Sequence, residues 1–428
     1  MKVFAKRVLR QFATALVVLF GAVGAYADAV IDWNIQLERA IYATAEGAPP
    51  QFRSAAIVHA AIFDAVNGIA RKYEPYFVKE WGPPEGNQEA AAAQAAYVTL
   101  VHLYPSQKTV LDARFAEALA RIPGHQGNSQ AIAQGLQWGA YVAQQIITWR
   151  STDGFTAVLT PYFGGSGPGV WRSPPTATNA DGTLPAAFAQ FAILKPFVMN
   201  TSSQFRPGPP PALSSAQYAA DVNEVQLIGR FNSTIRTSDQ TQLALLWQAV
   251  TIINENAVAR AVIPQGYTLV DTAWLFALIN FAGCDALIVS MDSKFAYNLW
   301  RPYHAVRLAD TDGNPDTVAD PTWNSLFPAP RFQEYVSNHG TLTAAVMRVL
   351  ARVLGDEHTF ILGSPLFPSF TWTFDRFSDA AGQVKEARIW GGIHFRTATE
   401  LGGKIGVQVA DYVLDHVLQP RQNRGFGQ

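Results

Sequence analysis

Apolar residues recur at helical spacing along most of this chain, in runs at about 33–46, 51–70, 88–119, 128–149, 215–230, 238–260, 270–300, 338–355 and 398–418. Strand-like alternation is scarce. The punctuation agrees: Asn128-Ser129 precedes one amphipathic run, Ser238-Asp239 reads as the cap of another, and Pro49-Pro50 and Pro105 separate neighbours. The pattern predicts an all-α protein of helical bundles in two bundle-like halves.

Between about residues 150 and 215 the pattern gives way to Gly, Pro, Ser and Thr, marked by Gly164-Gly165-Ser-Gly-Pro-Gly169 and Pro207-Gly208-Pro-Pro-Pro211. The chain therefore divides into an N-terminal helical half (28–150), an irregular Gly/Pro-rich connection (151–214) and a C-terminal helical half (215–428). Loops of this length inside compact folds are functional or disordered. Trp171, Phe188, Phe191, Phe197 and Phe205 argue that this one packs, and it is expected to drape over a cleft of the C-terminal half.

The first residues carry Lys2, Lys6, Arg7 and Arg10, then an apolar run from Phe12 to Val23 and the small-x-small signal Ala25-Tyr26-Ala27. Residues 1–27 read as a secretory signal peptide, so the mature chain is expected to be exported, periplasmic or secreted. That apolar run is short for a membrane span, and no later stretch reads as long and apolar enough to make one. Removal of the peptide leaves 28 basic residues against 33 acidic, a net charge of −5. Nothing basic remains to recruit nucleic acid. The 428 residues, 49% hydrophobic and 15% charged, can bury a large core or two. Cys284 is the lone cysteine; it lies in an apolar run and reads as a small buried hydrophobe with no disulfide partner.

Three short stretches in the last third carry the candidate chemistry. In the first, Lys294 and Arg301 are seven apart, which on one helix returns both to nearly one face, and Pro302 then marks the helix end. The preceding run Trp274-Leu-Phe-Ala-Leu-Ile-Asn-Phe281 is too apolar for a surface helix, and buried cations need an anion. In the second, Ser337-Asn338-His339-Gly340 opens an apolar run and so occupies a helix N-terminus, where a hydroxyl and free N–H groups face an anion. His339 beside it suits general acid–base work. In the third, Arg388 and His394 flank Gly391-Gly392, glycines that permit close approach to a ligand or a neighbouring helix. Taken singly, each stretch has a plainer reading: a solvated basic face, an ordinary N-cap, a satisfied core histidine.

Taken in order, the three stretches resemble the vanadium-dependent haloperoxidases and the type-2 phosphatidic acid phosphatase superfamily that shares their site. That pattern is Lys-x6-Arg-Pro, then Ser-Gly-His, then Ser-Arg-x5-His; here it falls on Lys294, Arg301-Pro302, Ser337, His339, Arg388 and His394. Asn338 stands where the family usually has glycine, and Ala387 where it has serine. More loosely, His59-Ala-Ala-Ile-Phe-Asp64-Ala-Val-Asn67 and Asp285 resemble segments of bacterial members, although His59 and Asp64 on an apolar helix also read as paired core residues.

The resemblance implies vanadate as cofactor, its charge met by Lys294, Arg301 and Arg388, hydrogen bonds from Ser337 and the N–H of Asn338, and His394 as the protein atom bonded to the metal. His339 would act as acid or base on hydrogen peroxide and Lys294 would polarise the reacting oxygen, giving hypohalous acid from halide. The same atoms serve a soluble exported acid phosphatase, with His394 attacking the phosphate ester and His339 protonating the leaving group. A non-catalytic oxyanion binder is the third reading. Phe332, five before Ser337, and Met291, three before Lys294, fall at positions implicated in the halide environment; a thioether beside a hypohalite source favours bromide or iodide over chloride.

Overall fold

The computed structural model describes residues 28–122, 129–175 and 184–421; the expected signal peptide and Asn128 lie outside the described residues. Thirteen α-helices and one short hairpin occupy the described residues. In the N-terminal half α1 (Ala29–Thr44), α2 (Ala48–Ala70), α3 (Gln88–Leu103), α4 (Lys108–Arg121) and α5 (Ser129–Arg150) form a bundle. After the connection come α6 (Ala216–Ile228), α7 (Ser238–Ala249), α8 (Ile252–Val262), α9 (Leu269–Tyr297), the short α10 (Pro302–Arg307), α11 (Asn338–Leu354), α12 (Phe377–Trp390) and α13 (Arg396–His416). The hairpin pairs β1 (Glu357–Gly363) with β2 (Thr371–Arg376), antiparallel, and turns Phe360, Leu362 and Phe374 inward.

The run at 88–119 divides at Pro105 as expected, whereas the run at 238–260, which reads as one helix, is two. Pro105 cannot continue α3, and a 3-10 turn at Pro105–Gln107 starts α4. The extended backbone of Val250 and Thr251 divides α7 from α8, with the Asn254 side chain accepting the Thr251 N–H at 2.8 Å. The cap of α7 is Thr237, one residue before the expected Ser238; its hydroxyl accepts from Gln240 and the Gln240 side chain accepts the Thr237 N–H.

Helix α9 is the axis on which the site is built, with α2 packed on one side and α11 on the other; α11 packs in turn on α12 and α13. One continuous apolar core runs through both halves. Contrary to the sequence expectation, α9 is long and apolar enough to cross a membrane by length and composition, but 94% of that stretch is buried inside the protein. Cys284 lies buried on it as expected.

Two buried carboxylates tie loops to the bundle. Asp64 on α2 accepts the N–H groups of Tyr76, Phe77 and Val78 at 2.8, 2.8 and 2.9 Å, and Asp285 on α9 accepts those of Phe197, Val198 and Met199 at 2.6, 2.8 and 2.8 Å. Burial pushes both carboxyls up to about 6, against the pull of those donors. His59 does not pair with Asp64: its Nε2 lies 2.8 Å from the Asn34 amide and its ring stacks on Phe276.

The described part of the connection packs along the end of α9. Gly169–Trp171 pairs with Asn298–Trp300 through Trp171 N–H to Asn298 O (2.8 Å) and Trp300 N–H to Gly169 O (2.9 Å). Further on, Ala187 N–H donates to Arg331 O, Arg206 pairs with Asp292 at 2.6 Å, and the Tyr335 hydroxyl donates to Gly208 O. These contacts place the irregular segment against both stretches that carry Lys294 to Arg301 and Phe332 to Ser337.

Candidate functional site

The seven-residue spacing of Lys294 and Arg301 does not work through helical periodicity. Helix α9 ends at Tyr297, and Asn298 closes it in the left-handed region (φ 53°), donating its N–H to Lys294 O at 2.9 Å. Asparagine tolerates that conformation better than most residues. The chain then runs extended to Arg301, which caps α10. Lys294 thus projects from the last turn of α9 while Arg301 arrives from the following strand-like turn, and both side chains are fully buried.

The cations and imidazoles converge. Lys294 Nζ donates to Glu334 O at 2.9 Å and to Val336 O. Arg301 donates through Nε to Phe332 O and through Nη1 to Ile393 O, each at 2.8 Å, and its Nη1 lies 3.0 Å from His394 Nε2. The Phe332 ring lies beside both cations, 5.5 Å from Lys294 Nζ and 5.0 Å from the Arg301 guanidinium carbon. Arg388, in the last turn of α12, donates to Trp247 O and Gln248 Oε1 at 3.3 and 3.0 Å.

Ser337 caps α11 as the sequence indicates; its Oγ accepts the Gly340 N–H at 3.3 Å, which leaves the hydroxyl proton to donate elsewhere. The N–H groups opening α11, those of Asn338 and His339, have no carbonyl within the helix to bond. The Asn338 side chain is committed away from that end: Oδ1 accepts from the Ser290 hydroxyl at 2.7 Å and Nδ2 points at Met291 Sδ, 3.5 Å away. Asparagine in place of the family's glycine therefore braces α11 against α9, and Met291 is buried beneath it. The glycines between Arg388 and His394 serve packing: a Cβ at Gly391 would lie 2.3 Å from Phe327, and one at Gly392 (φ +74°) 2.3 Å from Gly229 O.

Glu334 is the residue that motif reading misses. Its Oε1 accepts from His394 Nδ1 and from the Phe395 N–H, each at 2.9 Å, and it is buried with no exposure. Burial raises its carboxyl to about 7, opposed by Lys294 and Arg301. The bond fixes the His394 tautomer with the proton on Nδ1 and the lone pair of Nε2 turned toward Arg301, the arrangement a metal-binding imidazole requires. The only signal available in sequence was an acid three residues before Ser337, and Arg331 and Gln333 beside it make that segment read as an ordinary polar loop.

Electrostatically the site holds a surplus of positive charge. Lys294, Arg301 and Arg388 face one carboxylate, and burial pushes all three down, Arg301 to about 10 and Arg388 to about 9. Burial also holds both imidazoles below the ordinary range, with the neighbouring cations adding to it, so His339 and His394 are neutral at pH 7. His339 is half-buried, and its side chain hydrogen-bonds the Val250 backbone. Two guanidinium N–H groups, Arg301 Nη2 and Arg388 Nε, are buried with no acceptor in the protein. Buried donors left unpaired cost about 1–3 kcal/mol each, more when charged, so donors aimed inward beside a neutral imidazole fit a tetrahedral oxyanion.

With vanadate in the cage, as the sequence resemblance implies, Glu334→Gln is expected to weaken its binding roughly 10- to 100-fold while leaving the fold intact, because the amide keeps an oxygen acceptor for the Nδ1–H but no longer sets a carboxylate against the imidazole. Vanadate titration followed by vanadium NMR checks this; an unchanged affinity would show that Glu334 only packs.

Residues 274–423 match the family model described as the second helical-bundle domain of vanadium chloroperoxidase (VCPO). The vanadium chloroperoxidase of Curvularia inaequalis is 30% identical over 189 residues, a match that covers 35% of this chain and 30% of the relative's length. The fold is similar to that of the first bacterial vanadium-dependent iodoperoxidase, with a TM-score of 0.76 at 23% identity over 91% of this chain and 97% of the other. It is also similar to a bacterial vanadium-dependent chloroperoxidase in its holo form, with a TM-score of 0.68 at 18% identity over 86% of this chain and 91% of the other. Residues 274–423, which hold every residue of the cage, are thus similar to the second helical-bundle domain of the vanadium chloroperoxidases, and the chain carries the helical fold of the vanadium-dependent haloperoxidases over most of its length.

Proposed function

We propose that the protein is a vanadate-dependent haloperoxidase that uses hydrogen peroxide to oxidise halide to hypohalous acid. The observation that carries this reading is the pair of unpaired guanidinium donors, Arg301 Nη2 and Arg388 Nε, beside an imidazole whose other nitrogen is held by Glu334. Lys294, Arg301 and Arg388 would hold vanadate by charge, the Ser337 hydroxyl and the Asn338 N–H by hydrogen bonds, and His394 Nε2 as the metal ligand. When bound there, vanadate supplies a Lewis-acid centre that activates peroxide toward halide.

The remaining steps belong to side chains. His339, neutral at pH 7 and held by the Val250 backbone, takes a proton from incoming peroxide. Lys294, held by the carbonyls of Glu334 and Val336, presents its ammonium to the reacting oxygen. Phe332 lies against Lys294, whereas Met291 is buried with its Sδ on the Asn338 amide, so the preference for bromide or iodide over chloride rests on the sequence position of its thioether.

An assay with two arms tests the reading: the purified protein is incubated with orthovanadate, then assayed for peroxide-dependent bromination of a dye and for hydrolysis of a chromogenic phosphate ester. Bromination that requires added vanadate is the expected result. Ester hydrolysis inhibited by vanadate, with no bromination, would make the protein a phosphatase instead.

A further inference from the structure

Beyond the cage, α10 and the connection form an open cleft of about 360 Å³, with room for a small organic ligand. Arg172, Ser173, Tyr303, His304, Arg307 and Phe163 line it. Three of its polar atoms are buried without any partner: Arg172 Nε, Ser173 Oγ and His304 Nδ1. His304 and Ser173 are 91% and 94% buried, since they keep only 9% and 6% of their surface exposed. Orphaned donors this deep are rare in folded proteins, and three on one wall are accounted for together by one ligand.

Among the described residues the cations on that wall lack a direct carboxylate partner, the acid that acts on Arg307, Asp320, lying beyond ion-pair distance. Arg172 Nη2 donates only to the carbonyls of Ser166 and Gly167, and Arg307 Nη1 to Trp323 O; neither guanidinium forms an ion pair with a carboxylate within 4 Å among the described residues. Both lie close enough to His304 to hold its imidazole down, behind burial as the main cause, at about 4. At neutral pH the imidazole is therefore a neutral hydrogen-bonding group between two fixed cations. The opposite character comes from rings: Tyr303 stands edge-on to His304 at 5.0 Å and under the Arg307 guanidinium at 5.0 Å, and Phe163 is an exposed phenyl at the rim.

We propose that this cleft is a binding site for a small aromatic carboxylate, its carboxylate on Arg172, Ser173 and His304 and its ring against Tyr303 and Phe163. An inorganic oxyanion would satisfy the donors but leave most of the volume and both rings unused. Guanidinium forks match the planar carboxylate geometry. The site is separate from the oxyanion cage: the Arg301 side chain, at the N-cap of α10, turns to Phe332 and His394, whereas Tyr303, His304 and Arg307 on the same helix face the cleft.

Fluorine NMR of para-fluorobenzoate against the purified full chain tests the proposal. The expected result is saturable line broadening, absent with para-fluorobenzyl alcohol and undiminished by saturating orthovanadate or by His394→Ala, which act at the cage. His304→Phe keeps a ring against Tyr303 and removes the orphaned nitrogen, and with Arg172→Gln it should weaken binding about 10-fold or more. Ser173→Ala, the change least able to disturb the fold, should weaken it roughly 3-fold. Absence of saturable broadening up to about 10 mM ligand, displacement by orthovanadate or inorganic phosphate, equal binding of the alcohol, or full affinity in the Ser173→Ala protein would each overturn it.

Discussion

His394→Ala is expected to remove vanadate-dependent bromination down to background, a fall of roughly three orders of magnitude or more in turnover. The side chain contributes the Nε2 lone pair that faces Arg301, and nothing else in the cage offers an uncharged nitrogen there. The fold should survive, because the neighbouring anchors are independent of the ring: Arg301 Nη1 still bonds Ile393 O, and Glu334 still accepts the Phe395 N–H. Thermal unfolding within a few degrees of the parent, together with loss of the bound-vanadate NMR signal, checks both halves. Activity above about a tenth of the parent would sink the assignment of His394 as ligand, since a lost metal ligand cannot leave that much transition-state stabilisation behind.

His339→Ala is expected to act on turnover and to spare binding. Its imidazole sits half-buried at the start of α11, and the charges that would hold an oxyanion come from Lys294, Arg301 and Arg388. Removing a general acid or base costs about 100- to 10,000-fold in rate. Vanadate affinity should change less than about 3-fold. Rates at saturating peroxide and equilibrium titration of vanadate separate the two quantities. Parallel losses in both would place His339 among the binding groups, and a protein that binds vanadate tightly yet shows no turnover even in its parent form would be an oxyanion binder.

The helical architecture was legible because α2, α5, α6, α11 and α13 each follow an apolar run bounded by polar or Gly/Pro punctuation. The losses have local causes. Helix α12 was not anticipated: its residues alternate Ala, Gln, Lys, Glu and Arg with few large apolar groups, so its burial comes from packing on α11 and α13. The hairpin's inward residues, Phe360, Leu362 and Phe374, form too short an alternation to stand out. In the cage, order of motifs was enough to name Lys294, Arg301, Ser337, His339, Arg388 and His394, but the route by which they meet was not. Arg301 approaches through a left-handed Asn298 and an extended turn, which spacing along one helix does not describe. Glu334 and Gln248 carry no recurring spacing at all, because they matter only through where the completed fold puts them.

Helix α9 also bears on how the chain behaves before it is folded. While the polypeptide is still extended, its 29 residues present cellular insertion machinery with a segment of spanning length. Asp285 sits near the middle of that segment, where an aspartate adds about 2.5–3.5 kcal/mol to the cost of entering lipid. The carboxylate that later fastens the Phe197–Met199 loop thus marks the segment for water during biogenesis, and an apolar residue at this position would remove a barrier to misinsertion as well as a clamp.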